Sequence, residues 1–245
     1  MVVKVLDCYQ SGIIGRLFLV LHMIKALIFD FDGLILDTET AEFHVWQDIY
    51  REYGQEMSAQ TWGQTVGGYG ISNFDAAIHL KGLVGYPLDQ EDLHLRFHRE
   101  SVDSIARQPI LPGVVDYLNQ AQELDLKLAI ASSSPHSWVD AHLKRLGLFE
   151  YFSTIICSDE VRRERTKPQP DLFLKVLEVM GLQAKEVIAF EDSPHGVVAA
   201  KAAGLFVVAI PNPITAELGV NGADITLPTL AALPLKALLA QVGCA

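Results

Sequence analysis

The chain has 245 residues, half of them hydrophobic and a fifth charged, enough for one large α/β domain or a core carrying a smaller insert. Its formal net charge of −11 argues against nucleic acid or an anionic membrane as a partner, but not against a small anionic substrate, because a bound divalent ion and local cations can reverse the field in a pocket. Cys8, Cys157 and Cys244 lack metal-type spacing and fit reduced thiols in a cytoplasmic protein, and no apolar stretch is long enough to span a bilayer.

Residues 1–22 read as an N-terminal extension, dispensable or belonging to an upstream start. Leu17–Leu21 follows Arg16 somewhat as in a signal peptide, but no small-residue cleavage site follows and Met23 fits as an alternative start. The apolar run 24–29 predicts a buried strand that stops at Asp30-Phe31-Asp32-Gly33. Side chains alternate along a strand, so Asp30 and Asp32 can share a face while Phe31 turns into the core. Asp and Gly are ordinary turn residues. Two carboxylates this close nevertheless need a cation between them or a proton on one of them. Either remedy suits a magnesium site in which one carboxylate attacks and the other handles protons.

Phe43, Trp46, Ile49, Tyr50 and Tyr53 are spaced for a helix over 39–53. A Gly-rich break at 67–70 follows, then helices over 72–81 and 89–106. Residues 40–106 show no strand pattern and read as an all-helical insert. From Leu111 helix and strand alternate: Pro112 opens a helix, and strands are expected at 126–131, 154–157, 187–190, 205–210 and 224–227. The helices between them run from Ser134-Pro135 to Gly147, over 170–180, from Ser193-Pro194 to Gly204, and over 230–242. Ser134 and Ser193 are expected to cap their helices, with Gly147, Gly181 and Gly204 ending theirs. The fold class is therefore α/β: a doubly wound, mostly parallel Rossmann-like sheet built from residues 23–39 and 107–245, with the helical insert after the first strand.

In such a sheet the loops that follow the strands gather in one crevice. After the second strand come Ser132, Ser133 and Ser134 at a helix start, a group suited to holding phosphate. After the third comes Lys167, stiffened by Pro168 and Pro170, as a working cation among carboxylates. Arg162, Arg163 and Arg165 read as an exposed basic turn. After the fourth come Glu191 and Asp192. Four acids, Asp30, Asp32, Glu191 and Asp192, then share one crevice. That all-oxygen set suits Mg²⁺ and not zinc, which would call for His or Cys.

Asp30–Thr38 (DFDGLILDT), Ala131–Ser134 (ASSS), Lys167–Asp171 (KPQPD) and Glu191–Gly196 (EDSPHG) resemble, in order and spacing, the haloacid dehalogenase superfamily in its helical-cap phosphatase and phosphomutase branch. The resemblance covers roughly Met23 to the C-terminus. It implies Asp30 as nucleophile through an aspartyl-phosphate, Asp32 as general acid and then base, and Ser132 and Lys167 as holders of the phosphoryl group. It also implies Mg²⁺ on Asp30, Asp192 and the backbone carbonyl of Asp32, with Glu191 nearby, and residues 40–106 as a cap closing over a phosphorylated small molecule.

Asp32 argues against dehalogenation. Beta-phosphoglucomutase usually offers a cap histidine where this chain has Glu42, an arginine in a loop that here reads 67–73 without one, and a lysine absent from Ser134-Pro135-His136. His44 and His136 are the available substitutes. The expected function is thus a Mg²⁺-dependent phosphatase, with the mutase as alternative and a non-catalytic phosphate binder as a third reading. Trp62, Tyr69, His79, His94, Arg96 and His98 are the candidate pocket residues of the cap. Oligomeric state is left open.

Overall fold

The computed structural model describes residues 24–63 and 74–242. The N-terminal extension, the Gly-rich break, Tyr69 and the start expected at Ser72 lie outside them. Strands β1 (Ala26–Phe29), β2 (Lys127–Ala131), β3 (Thr154–Ile156), β4 (Val187–Glu191), β5 (Phe206–Ala209) and β6 (Ile225–Thr226) form one sheet in the order β3-β2-β1-β4-β5-β6. Every pairing in it is parallel.

Alternation along the strands creates two cores. Leu27, Phe29, Leu128, Ile130, Ile188 and Phe190 face one side, where helices α5 (Val114–Glu123), α6 (His136–Arg145) and α10 (Leu235–Val242) cover them. Ala26, Ile28, Ala129, Val187, Ala189 and Val207 face the other, under α7 (Asp171–Met180) and α8 (Pro194–Ala202). The chain leaves β1 to build one flank of the sheet and returns at β4 to build the other. The crevice therefore opens between the carboxyl ends of β1 and β4.

Between β1 and α5 the described residues form four helices: α1 (Thr38–Glu52), α2 (Ala59–Trp62), α3 (Ala76–Val84) and α4 (Gln90–Ile105). They share a separate apolar cluster that includes Trp46, Ile49, Tyr50, Trp62, Ala77 and Leu93. Arg96 on α4 reaches Glu52 on α1 through two hydrogen bonds of 2.6 and 2.5 Å and holds Glu100 at 2.8 Å, fastening the two long helices of this cap. No helix among the described residues is long and apolar enough to cross a membrane.

Three local expectations are corrected. Ser134 does not cap α6: the helix begins after Pro135, and its first N–H, from His136, is accepted at 2.6 Å by Asp159 Oδ2 across the sheet end. The segment 230–242 is not one helix, because Pro234 lacks the N–H to continue it. A short turn at Leu230–Ala232 precedes α10. A short helix, α9 (Pro213–Leu218), follows β5, and the sequence signal for it, Asn212-Pro213, has the same cap-then-proline form as Ser193-Pro194.

Candidate active site

Asp30 leaves the end of β1, and Glu191 and Asp192 leave the end of its neighbour β4, so parallel register alone places the three acids together. Their carboxylate oxygens can lie within 4.8 Å of one another, all in buried residues. Lys167 comes from the loop after β3. Its Nζ lies 2.5 Å from Asp30 Oδ1 and 2.6 Å from Glu191 Oε1, and the lysine is 4 % exposed. Two acids thus meet one ammonium in the interior, with a third, Asp192, beside them.

The imbalance appears in proton affinities. Burial raises the Asp30 carboxyl even though Lys167 opposes the shift. Burial, with Lys167 opposing and Asp30 adding, pushes Glu191 up to about 8. Asp192 is raised well above the carboxylate range, by burial first and then by the charges of Glu39, Asp30 and Glu191. Burial alone would lower Lys167, but the charges of Asp30 and Glu191 override it and the ammonium is held more tightly than usual. Asp192 Oδ1 and Glu191 Oε2 are buried without a hydrogen-bond partner. Orphaned carboxylate oxygens in an oxygen-only group are what a hard divalent cation satisfies, so the residues fit a metal site.

Asp32, expected as a fourth member, stands apart: its side chain is not among the three clustered carboxylates that could hold a metal. Ser134 Oγ donates to its Oδ2 at 2.6 Å and Trp138 Nε1 to its Oδ1 at 2.9 Å. Each oxygen thus already accepts one hydrogen bond, which orients the carboxylate. Trp138, on the first turn of α6, was not singled out in the sequence. Replacing it with phenylalanine keeps the apolar bulk and removes one donor from a charged acceptor, worth about 1.5–3 kcal/mol. Trp138→Phe should therefore lower the melting temperature by several degrees and, with Asp32 less firmly oriented, lower kcat by about 10-fold or more; an unaltered kcat would show that the contact is idle.

Ser132 and Ser133 complete the crevice. Ser132 Oγ accepts from Ser134 N at 3.0 Å and keeps its own proton to donate, and Ser133 Oγ is buried without a partner. Asn212, at the start of α9, was also missed. Its Oδ1 accepts from Ile214 N and Thr215 N, while its Nδ2 donates to Asp192 Oδ2 at 2.9 Å and Glu39 Oε2 at 2.7 Å. One amide thus spends its full capacity on a helix start and two acids.

Two glycines are fixed by the same acids. Gly33 has φ +80°, and a Cβ there would run into Asp192; a Cβ on Gly196 would overlap the Glu191 carboxylate. Gly196 lies inside α8, where alanine is the better helix former. Gly196→Ala should still destabilise by about 1–3 kcal/mol, because the clash outweighs the propensity gain. Thermal melting checks this, and a raised Tm would contradict the packing.

Above these groups lies a cavity of about 560 Å³. Its floor includes Asp30, Asp32, Ser132, Ser133, Lys167 and Asp192, and its roof comes from the cap. Glu39 and Glu42, one turn apart on α1, point the same way into it. Burial pushes both up to about 8; the Asn212 hydrogen bond opposes this at Glu39, and Asp32 adds to it at Glu42. Of the cap candidates, Trp62 and His98 line the cavity. His79 bonds Tyr50, His94 bonds Asp75, and Arg96 is spent on Glu52 and Glu100, so these three serve the cap itself. His44 is exposed, and His136 is held by Asp140 and Glu160.

The profile of a family described as haloacid dehalogenase-like hydrolases matches residues 27–210. The chain belongs to that family. YhcW of Bacillus subtilis, which carries a provisional phosphatase name, is 41% identical over 217 residues, covering 89% of this chain and 97% of that one. A phosphorylated carbohydrates phosphatase of Thermotoga maritima is 30% identical over 187 residues, covering 74% and 82%. A crystal structure from Thermotoga maritima, provisionally titled a beta-phosphoglucomutase, superposes with a TM-score of 0.67 at 27% identity, covering 85% of this chain and 95% of that one.

Proposed function

We propose that this hydrolase is a Mg²⁺-dependent phosphatase that cleaves small phosphomonoesters, sugar phosphates foremost, through an aspartyl-phosphate on Asp30. The observation that carries the reading is Lys167 bridging Asp30 and Glu191 beside the orphaned Asp192 oxygen, beneath a cavity walled by Ser132 and Ser133. In this reading an Asp30 carboxylate oxygen attacks phosphorus, the bond from phosphorus to the alcohol oxygen breaks, and Asp32 gives that oxygen its proton. Water then attacks the same phosphorus, Asp32 takes its proton, and phosphate leaves with Asp30 restored. Lys167 and the two serine hydroxyls hold the phosphoryl oxygens while charge shifts among them. Mg²⁺, held by Asp30, Asp192 and the Asp32 carbonyl with Glu191 close by, would neutralise charge on the transferring group.

Relatives named as phosphatases support hydrolysis, and the carbohydrate phosphatase supports a sugar alcohol as leaving group. The mutase is the second reading, favoured by the structural likeness and by a beta-phosphoglucomutase of Bacillus subtilis that is 27% identical over 198 residues. A mutase must keep a bisphosphate, and among the described cavity residues Lys167 is the one Lys or Arg. A non-catalytic phosphate binder would have no need of the retained acids at 30, 32, 191 and 192. A cytoplasmic setting, with Cys157 a buried free thiol, belongs to the same proposal. Phosphate release from a panel of sugar monophosphates should require Mg²⁺ and stop on addition of EDTA. Release undiminished by EDTA would remove the metal from the proposal, and isomerisation of glucose 1-phosphate without release would replace the phosphatase by the mutase.

A further inference from the structure

The cap side of the cavity has a chemical bias that hydrolysis does not require. It brings Glu42, with no hydrogen bond among the described residues, to the side of Asp32, together with the buried, unpartnered Ser101 Oγ from α4. Phe97 and Trp62 supply flat apolar surface beside them, and His98 stands at the exposed mouth. Lys167 is already engaged by two carboxylates. Residues 64–73, outside the described part of the cap, contain no Lys, Arg or His.

In either protonation state Glu42 offers an acceptor oxygen, and Ser101 offers a donor and acceptor. Hydroxyl groups satisfy such a wall, and the C–H faces of a polyol pack on the rings. A second anion brought here would lose its water and meet acids with no counter-charge, which is costly.

Resting on the phosphatase reading and refining it, we propose that the cap wall selects phosphomonoesters whose alcohol is an uncharged polyol and rejects those bearing a second anionic group, with Glu42 the specificity-determining residue. The test compares glucose 6-phosphate and open-chain glucitol 6-phosphate with 6-phosphogluconate, which differs from the latter in a carboxylate far from the phosphate, and with fructose 1,6-bisphosphate. Calorimetric binding to Mg²⁺-loaded Asp30→Asn protein reads discrimination whether or not catalysis occurs. Glucose 6-phosphate should bind at least about 10-fold more tightly than either competitor with a second anionic group. Adding Glu42→Ala should weaken glucose 6-phosphate about 10-fold and leave 6-phosphogluconate unchanged, the loss of one hydrogen bond. Adding Glu42→Lys should reverse the order in favour of the bisphosphate.

Affinities equal within a factor of two in the Asp30→Asn protein, or a ratio unmoved by both Glu42 changes, would overturn the proposal. Wild-type release of phosphate from p-nitrophenyl phosphate is followed in parallel. Discrimination in binding without any release sinks only the phosphatase reading, and release without discrimination sinks only the selectivity.

Discussion

Asp30→Asn should lower turnover by about 10⁴-fold or more while leaving the metal-free protein as stable as wild type or more so. In the proposed mechanism the loss follows from removing the attacking oxygen, since an amide is a far poorer nucleophile than a carboxylate. The gain in stability follows from the charge imbalance: three buried acids share one lysine, and Asp30 raises the hold of both Glu191 and Asp192 on protons. Glu191 shows the sign. Its folded value lies near 8 against an ordinary 4.5, so the folded state keeps a proton that the unfolded state gives up. Its contribution is therefore fully present below about 4.5 and is lost as pH rises towards 8. With Asp30 neutralised, the decline in melting temperature over that window should become shallower in EDTA. Full activity in the asparagine variant would remove Asp30 from its role, and a collapse in Tm would mean that the carboxylate is needed for folding.

Lys167→Met should lower both properties. The ammonium is the cation that balances Asp30 and Glu191 at 2.5 and 2.6 Å, in a setting where all three residues are buried. Removing one partner of such a group leaves uncompensated charge and costs about 3–5 kcal/mol. Urea unfolding in EDTA should show that loss. Mg²⁺ should restore part of the stability, because it supplies positive charge to the same acids, and should not restore turnover, because the phosphoryl group still lacks its lysine. The contrast between the two variants is diagnostic. Removing an acid relieves the metal-free cluster, and removing the base deepens its imbalance, so equal Tm changes of one sign would contradict the electrostatic picture.

The sequence was most informative where local rules act. A buried run ending in Asp30 and Asp32, another ending in Glu191 and Asp192, and the strand–helix alternation between them were sufficient for a parallel sheet whose loops converge, and the sheet order places β1 beside β4. Lys167 was legible because the prolines around it mark a stiff loop. What escaped depends on side chains that meet across long separations. Trp138 reaches Asp32 from 106 positions away, and Asn212 reaches Glu39 from 173 away. Ser134 was misassigned for the same reason: a serine before a proline looks like a helix cap, but a remote carboxylate, Asp159, took that duty and left the hydroxyl for Asp32. Periodicity could place Glu42 on a helix; only packing shows that its face turns towards the crevice.

Asn212 joins the acid cluster to the first helix of the cap. The same amide nitrogen touches Asp192, at the acid cluster, and Glu39, on the first turn of the helix that carries Glu42. In the proposed reading, a shift of Asp192 on taking up an ion would pass to the roof of the cavity through a single residue. Ion and alcohol would then be reciprocal effectors: whatever factor one adds to the affinity of the other, it receives back in equal measure.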